Sequence, residues 1–100
     1  MKTLDILVVA LCRDYERRRR AIEEGSFSRR TLMEYRYINF RILEAAAEIV
    51  GERDAARFIF EIGEGIGYAK SELYRMSEAD YKNKKCKVKR AVAQKLHLLD

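Results

Sequence analysis

Proline is absent from this chain of 100 residues, and only five glycines occur. Proline breaks helices and glycine weakens them, whereas Ala, Leu, Glu, Lys and Arg, which are all frequent here, have high helix propensity. The hydrophobic fraction of 48% is ordinary for a folded protein, and a chain of this length has room for one core. We therefore predict one all-α domain spanning residues 1–100, folded as a compact bundle of four to five helices.

Capping residues divide the chain into helical segments. Thr3, Ser28 and Ser77 are placed to cap the start of a helix, and Gly25 and Gly51 to follow the end of one. Apolar residues recur between these positions at helical spacing. The predicted helices run approximately over residues 3–24, 29–50, 54–66 and 77–98.

The predicted helix 29–50 is apolar on almost every side. Such a helix lies at the centre of a bundle or in a dimer interface, so a homodimer through this helix is one expected assembly. Its segment Y-R-Y-I-N-F-R, residues 35–41, interleaves aromatic residues with Arg36 and Arg41. That pattern is typical of stacking surfaces for single-stranded nucleic acid, although aromatic residues at helical spacing are more often part of a core.

Basic residues are concentrated towards the C-terminal part of the chain. The net charge is +5 at pH 7, and the segment 82–95 contains seven basic residues and no acidic one. This distribution favours a polyanionic partner. A second cluster, Arg17 to Arg20, has acidic residues at a spacing of four along the predicted helix. That cluster is either a solvated, ion-paired face or a second phosphate contact.

The residue types of an enzyme or a metal site are scarce. His97 is the only histidine, Cys12 and Cys86 are the only cysteines, and no nucleophile motif is present. We predict no catalytic residues, no metal and no cofactor, with both cysteines reduced and packed as small apolar groups. The apolar run 4–12 is too short to span a bilayer, which favours a cytoplasmic protein without a membrane partner.

Three glycines alternate in G-E-G-I-G, residues 63–67, inside an otherwise helical pattern. A dinucleotide fingerprint requires a preceding strand, and a Walker loop requires Gly-Lys-Ser/Thr, so neither phosphate loop fits. A tight, helix-turn-helix-like corner between two short helices, near residues 55–76, fits better. In that corner Gly63 is the small residue where two backbones cross and Gly67 forms the turn. The apolar residues Ile62, Ile66 and Leu73 are its core positions.

The stretch I-G-E-G-I-G-Y-A-K-S-E-L-Y-R-M, residues 62–76, resembles the pattern of bacterial and phage helix-turn-helix regulators. Among these it is most similar to small phage proteins related to sigma factor region 4 and to the autolysin-regulatory-protein type. The resemblance covers about a fifth of the chain. It implies a second helix that enters the major groove of duplex DNA.

The resemblance also implies site residues and a function. Contacts to bases and to the groove would come from Lys70, Ser71, Tyr74 and Arg75. Contacts to phosphate would come from Lys82, Lys84, Lys85, Lys87, Lys89 and Arg90. The protein would then be a DNA-binding transcriptional regulator of a phage or mobile element. The alternative is a small phage-encoded helical protein that binds and inhibits a host protein, or a nucleoprotein such as a CRISPR effector.

Overall fold

A computed structural model describes residues 2–73 and 75–98 of the chain. Within these residues the protein is an all-α bundle, as predicted, with five α-helices and one short 3-10 helix. The helices are α1 (Lys2–Arg13), α2 (Tyr15–Glu24), α3 (Arg29–Val50), α4 (Glu52–Glu64) and α5 (Glu78–Lys95), and the 3-10 helix is Tyr68–Lys70.

The predicted helix 3–24 is divided into α1 and α2 at Asp14. The break is held by Arg18, whose side chain is buried although it belongs to the arginine cluster 17–20. Its guanidinium donates to the carbonyl oxygen of Leu11 and, over 2.7 Å, to Oδ1 of Asn39 in α3. Asn39 in turn donates from Nδ2 to the carbonyl oxygen of Tyr15. Arg18 therefore joins α2 to α3 and is not available to an outside phosphate group.

Helix α3 lies at the centre of the bundle, in agreement with its apolar sequence. It packs against α2, α4 and α5, while α1 packs mainly on α4. Its inner face contributes Ile42, Ala45 and Ala46, which are completely buried. The two alanines leave no bulky side chain between the helices, so neighbouring backbones approach closely.

Four of the five predicted caps are present, but the prediction that Thr3 caps the first helix is wrong, because α1 begins at Lys2 and Thr3 lies inside it. Ser28 Oγ accepts a hydrogen bond from the backbone N–H of Thr31, and Ser77 Oγ accepts one from that of Asp80. Gly25 and Gly51 follow the last residues of α2 and α3. The ends of α2 and α3 and the starts of α3 and α5 are thus where the sequence places them, whereas α4 begins and ends two residues earlier than predicted and α5 ends three residues earlier.

The core joins side chains from α1, α3, α4 and α5 with Leu73, a residue of the segment before α5. Phe58 of α4 packs against Tyr81 of α5, with ring centroids 5.6 Å apart. Cys12 is buried here, and burial raises the pKa of its thiol to about 12. Cys86 is exposed, so the prediction that both cysteines pack as apolar groups is wrong for Cys86. Among the described residues, no helix is both long enough and apolar enough to cross a membrane.

Candidate nucleic-acid interface

The corner after α4 is formed by Gly65 and not by Gly67. Gly65 has φ 67°, in the left-handed region that glycine adopts without strain. Its N–H donates to the carbonyl oxygen of Ile62, and the N–H of Ile66 donates to that of Glu61, which ends the helix. Gly67 has φ −88° and ψ 171°, an extended conformation that any residue adopts. The predicted turn is therefore shifted by two residues.

Gly63 is a crossing point, as predicted, but the chain that crosses it is the end of α1. A Cβ atom on Gly63 would lie 2.7 Å from both Cα and N of Arg13 and 2.9 Å from the carbonyl carbon of Cys12. The Nε atom of Arg13 also donates to the carbonyl oxygen of Gly63 over 3.2 Å. The glycine thus allows α1 and α4 to pack backbone against backbone.

The second helix implied by the resemblance does not form across residues 68–73 and 75–76. Tyr68–Lys70 makes a single 3-10 turn, and Ser71 is extended with ψ 146°. Leu73 is buried and Ile62 is buried, as predicted for core positions of the corner, whereas Ile66 is only half-buried and lies outside the core cluster. The segment is held by polar contacts to side chains of α4.

Those contacts converge on Glu61, whose side chain is completely buried in α4. Its carboxylate accepts hydrogen bonds from Ser71 Oγ at 2.6 Å, from Tyr81 Oη at 2.6 Å and from Arg57 Nε at 2.8 Å. The backbone N–H of Glu72 donates to the same group over 3.1 Å. Four donors therefore satisfy one buried carboxylate and fix the segment between α4 and α5.

The network shifts the protonation equilibria of both groups at its centre. Burial by itself raises the pKa of the Glu61 carboxyl, but the hydrogen bonds from Ser71, Tyr81 and Arg57 outweigh burial and hold that pKa below 4.5. Burial and the hydrogen bond to Glu61 raise the pKa of Tyr81 to about 12. At neutral pH the structure therefore contains a carboxylate bonded to a neutral phenol.

Among the described residues predicted to contact bases, Lys70, Ser71 and Arg75 are not gathered on one helix face. Ser71 is engaged by Glu61, and Arg75 pairs with Asp54 of α4, with Nη2 2.7 Å from Oδ1. Lys70 is exposed at the end of the 3-10 turn. Tyr74 lies outside the described residues.

The residues predicted to contact phosphate divide into two groups on α5. Lys85 and Lys89 are half-buried beside the stripe that α5 turns towards the core. Lys85 Nζ donates to the carbonyl oxygen of Ile66 at 2.6 Å, and Lys89 pairs with Asp5 of α1 at 3.1 Å. Burial, assisted by the neighbouring charge of Lys89, lowers the pKa of Lys85.

The other group consists of Lys82, Lys87 and Arg90, which are exposed, and Lys84, which is half-buried; we call these four residues the α5 basic surface. Lys82 pairs with Glu78 and Lys84 with Asp80, both four residues earlier on the helix. Lys87 and Arg90 form no ion pair with any described residue. The sequence holds only part of the signal for this division: Tyr81, Val88 and Val92 mark the buried stripe, but Lys85, four residues after Tyr81, and Lys84, four residues before Val88, both adjoin it.

A shallow groove of about 380 Å³ between α1 and α5 was not anticipated from the sequence. Leu4, Val8 and Ala93 contribute apolar groups to its lining, and Lys87 and Arg90 contribute their side chains from the α5 basic surface. Within the described residues, no group of three His, Cys, Asp or Glu side chains is placed to hold a metal ion.

Comparison of the chain with protein-family models, with curated proteins and with solved structures finds no match. Function is therefore inferred from the residues and their geometry.

Proposed function

We propose that the protein binds duplex DNA through phosphate contacts made by the α5 basic surface. The observation that carries the proposal is the exposure of Lys87 and Arg90, which have no acidic partner among the described residues. They lie on a helix whose last acidic residue is Asp80. Lys84, Lys87 and Arg90 recur every three residues and so lie on one side of α5, an arrangement that can follow a sugar-phosphate backbone, whereas Lys82 lies on another side of the helix.

The two ion pairs at the start of α5 do not oppose this function. Lys82–Glu78 and Lys84–Asp80 are largely exposed pairs at helical spacing, and such pairs contribute only about 0.3–0.5 kcal/mol. A phosphate group can replace the carboxylate at little cost. Lys85 and Lys89 are different, because moving them towards DNA would break contacts to Ile66 and Asp5 that join parts of the fold.

The corner after α4 has a smaller part in the proposal. Lys70 is exposed and can add a phosphate contact, whereas Ser71 and Arg75 would first have to leave Glu61 and Asp54. Binding is therefore expected to depend mainly on charge and little on base sequence. Competition between duplexes of different sequence measures whether the protein acts as the site-specific regulator that the sequence resemblance implies.

Salt dependence tests the proposal directly. Fluorescence anisotropy of a labelled duplex would be titrated with the protein at several salt concentrations. If all four residues of the α5 basic surface bind phosphate, the slope of log K against log salt should be about −3.6, at about −0.9 for each phosphate neutralised. Absence of binding at low salt, or binding that does not respond to salt, contradicts the proposal.

A further inference from the structure

Helix α3 exposes a continuous apolar stripe on the face opposite the core. The stripe consists of Met33, Tyr37, Phe40 and Leu43, which are exposed to 57%, 50%, 62% and 38%. Met33, Tyr37 and Phe40 follow the spacing i, i+4, i+7 and so lie on one side of the helix, with Leu43 at its edge. Ile42, on the opposite side, is completely buried. The stripe is therefore a second apolar face of a helix that already supplies the core.

The charges at the two ends of the stripe have opposite sign. Arg29 and Arg30 lie at its N-terminal end, and Glu48 lies at its C-terminal end, followed by Glu52 at the start of α4. Arg29 and Glu52 are exposed and form no ion pair with any described residue. Glu48 pairs with Lys95 of α5 at 2.8 Å but remains half-exposed. Arg30 pairs with Glu34 at 3.7 Å, so among the described residues the unpaired positive charge at the N-terminal end is that of Arg29, and the unpaired negative charge at the other end is that of Glu52.

We propose that the protein forms a two-fold symmetric homodimer in which the α3 helices of two copies pack antiparallel through this stripe. In an antiparallel pair with the axis between Tyr37 and Phe40, the basic end of one helix faces the acidic end of the other. A parallel pair would instead place arginine against arginine and glutamate against glutamate, and like charges at close range repel each other. The charge pattern therefore selects a second copy as the partner and antiparallel as its direction.

The shape of the surface agrees with such a contact. One shallow groove, lined by Arg29, Met33 and Tyr37 among others, lies at the basic end of the stripe. Another, lined by Phe40, Leu43 and Glu48 among others, lies at the acidic end. A two-fold contact uses the same patch on both copies, so each groove would receive the side chains that border the other groove. This inference does not rest on DNA binding, because the α5 basic surface is a separate part of the molecule.

The first experiment is sedimentation equilibrium of the whole chain, of 11.8 kDa, at concentrations up to about 1 mM, which detects even a weak association. We expect a monomer–dimer equilibrium that Phe40→Glu abolishes, because the new charges meet near the axis. Ile6→Glu is the matched control, since Ile6 is an exposed apolar residue of α1 outside the stripe. A monomer throughout, or a dimer that survives Phe40→Glu, overturns the proposal. An association that Ile6→Glu abolishes and Phe40→Glu does not would show that two copies associate through the surface around Ile6 and not through the stripe.

Disulfide cross-linking then determines the direction of the helices. In a Cys86→Ser background, which removes the exposed thiol, Arg29→Cys and Glu48→Cys would be oxidised separately and as a mixture. Two copies of residue 29 are about 28 Å apart in the antiparallel pair, from the rise of about 1.5 Å per residue, so neither variant should cross-link to itself. The mixture should yield the cross-linked dimer. Cross-linking of each variant to itself, or no cross-linking in any sample, overturns the antiparallel arrangement.

Discussion

Glu61 of α4 and Tyr81 of α5 are joined by a hydrogen bond of 2.6 Å between Oε1 and Oη, and both side chains are buried. The pair links helices that are separated by a turn and an irregular segment. The carboxylate of Glu61 also accepts hydrogen bonds from Ser71 and Arg57. The geometry of the whole corner after α4 therefore depends on one charged group.

We predict that Tyr81→Phe lowers the free energy of unfolding by about 1.5–3 kcal/mol, the usual contribution of a hydrogen bond to a charged group. The ring and its packing against Phe58 are kept, so the loss reports the hydroxyl alone. Urea denaturation followed by circular dichroism measures it. Tyr37→Phe removes the hydroxyl of an exposed tyrosine and should change the stability by less than about 0.5 kcal/mol. Equal effects of the two substitutions would mean that the hydrogen bond to Glu61 adds no measurable free energy of unfolding.

Stability should also depend on pH through the same two groups. The folded protein holds the pKa of Glu61 below 4.5, so the unfolded chain takes up a proton first as the pH falls through that value. Stability contributed by Glu61 is therefore present above pH 4.5 and is lost below it. Glu61→Gln should be less stable at neutral pH, and the acid side of its stability curve should be flatter. Urea unfolding from pH 3 to 7 compares the two proteins.

At alkaline pH the relevant group is Tyr81, whose pKa is raised in the folded protein, whereas that of Glu61 is lowered. Unfolded tyrosine ionises near pH 10, whereas the pKa of Tyr81 in the folded protein is about 12. Between these values the unfolded chain loses the proton and the folded chain keeps it, so stability falls as the pH rises from 10 to 12. Tyr81→Phe should remove this part of the alkaline loss. If both proteins lose stability in parallel between pH 10 and 12, Tyr81 is not the group responsible.

The capped helix ends could be predicted from the sequence because they depend on neighbouring residues, whereas the break at Asp14 could not, because Arg18 there is held by Asn39 of α3. Ser28 and Ser77 cap helices through backbone groups only three residues away. Glu61 could not be predicted in the same way, since its partners Ser71 and Tyr81 lie ten and twenty residues further along the chain. Without those partners an acidic residue in a helical pattern is expected at the surface. The second helix that the resemblance implies is therefore absent from residues 68–73 and 75–76 for a reason that lies elsewhere in the chain.

The packing of α1 on α4 makes Gly63 sensitive to one methyl group. Gly63→Ala should destabilise the protein by about 1–3 kcal/mol, because the new Cβ would meet backbone atoms of Arg13 and Cys12 at 2.7–2.9 Å and the backbone must move. Gly67→Ala is the matched control. No atom would lie within 4 Å of its Cβ, and φ is −88°, so this change should be neutral or slightly stabilising. Thermal unfolding compares the two variants, and equal melting temperatures would exclude the close crossing.

The basic residues of α5 that are available to DNA and those that contact the rest of the fold should respond differently to substitution. Lys87→Ala and Arg90→Ala should each weaken duplex binding and make the slope of log K against log salt shallower by about 0.9, because each removes one phosphate contact. Arg53→Ala removes the same charge from an exposed site on α4 and should leave the slope unchanged. Lys85→Ala should also leave the slope unchanged, since Lys85 Nζ is bonded to the carbonyl oxygen of Ile66, but it should lower the stability. Anisotropy titrations and urea unfolding measure the two effects. An equal loss of affinity in all four variants would show that net charge, and not the α5 basic surface, controls binding.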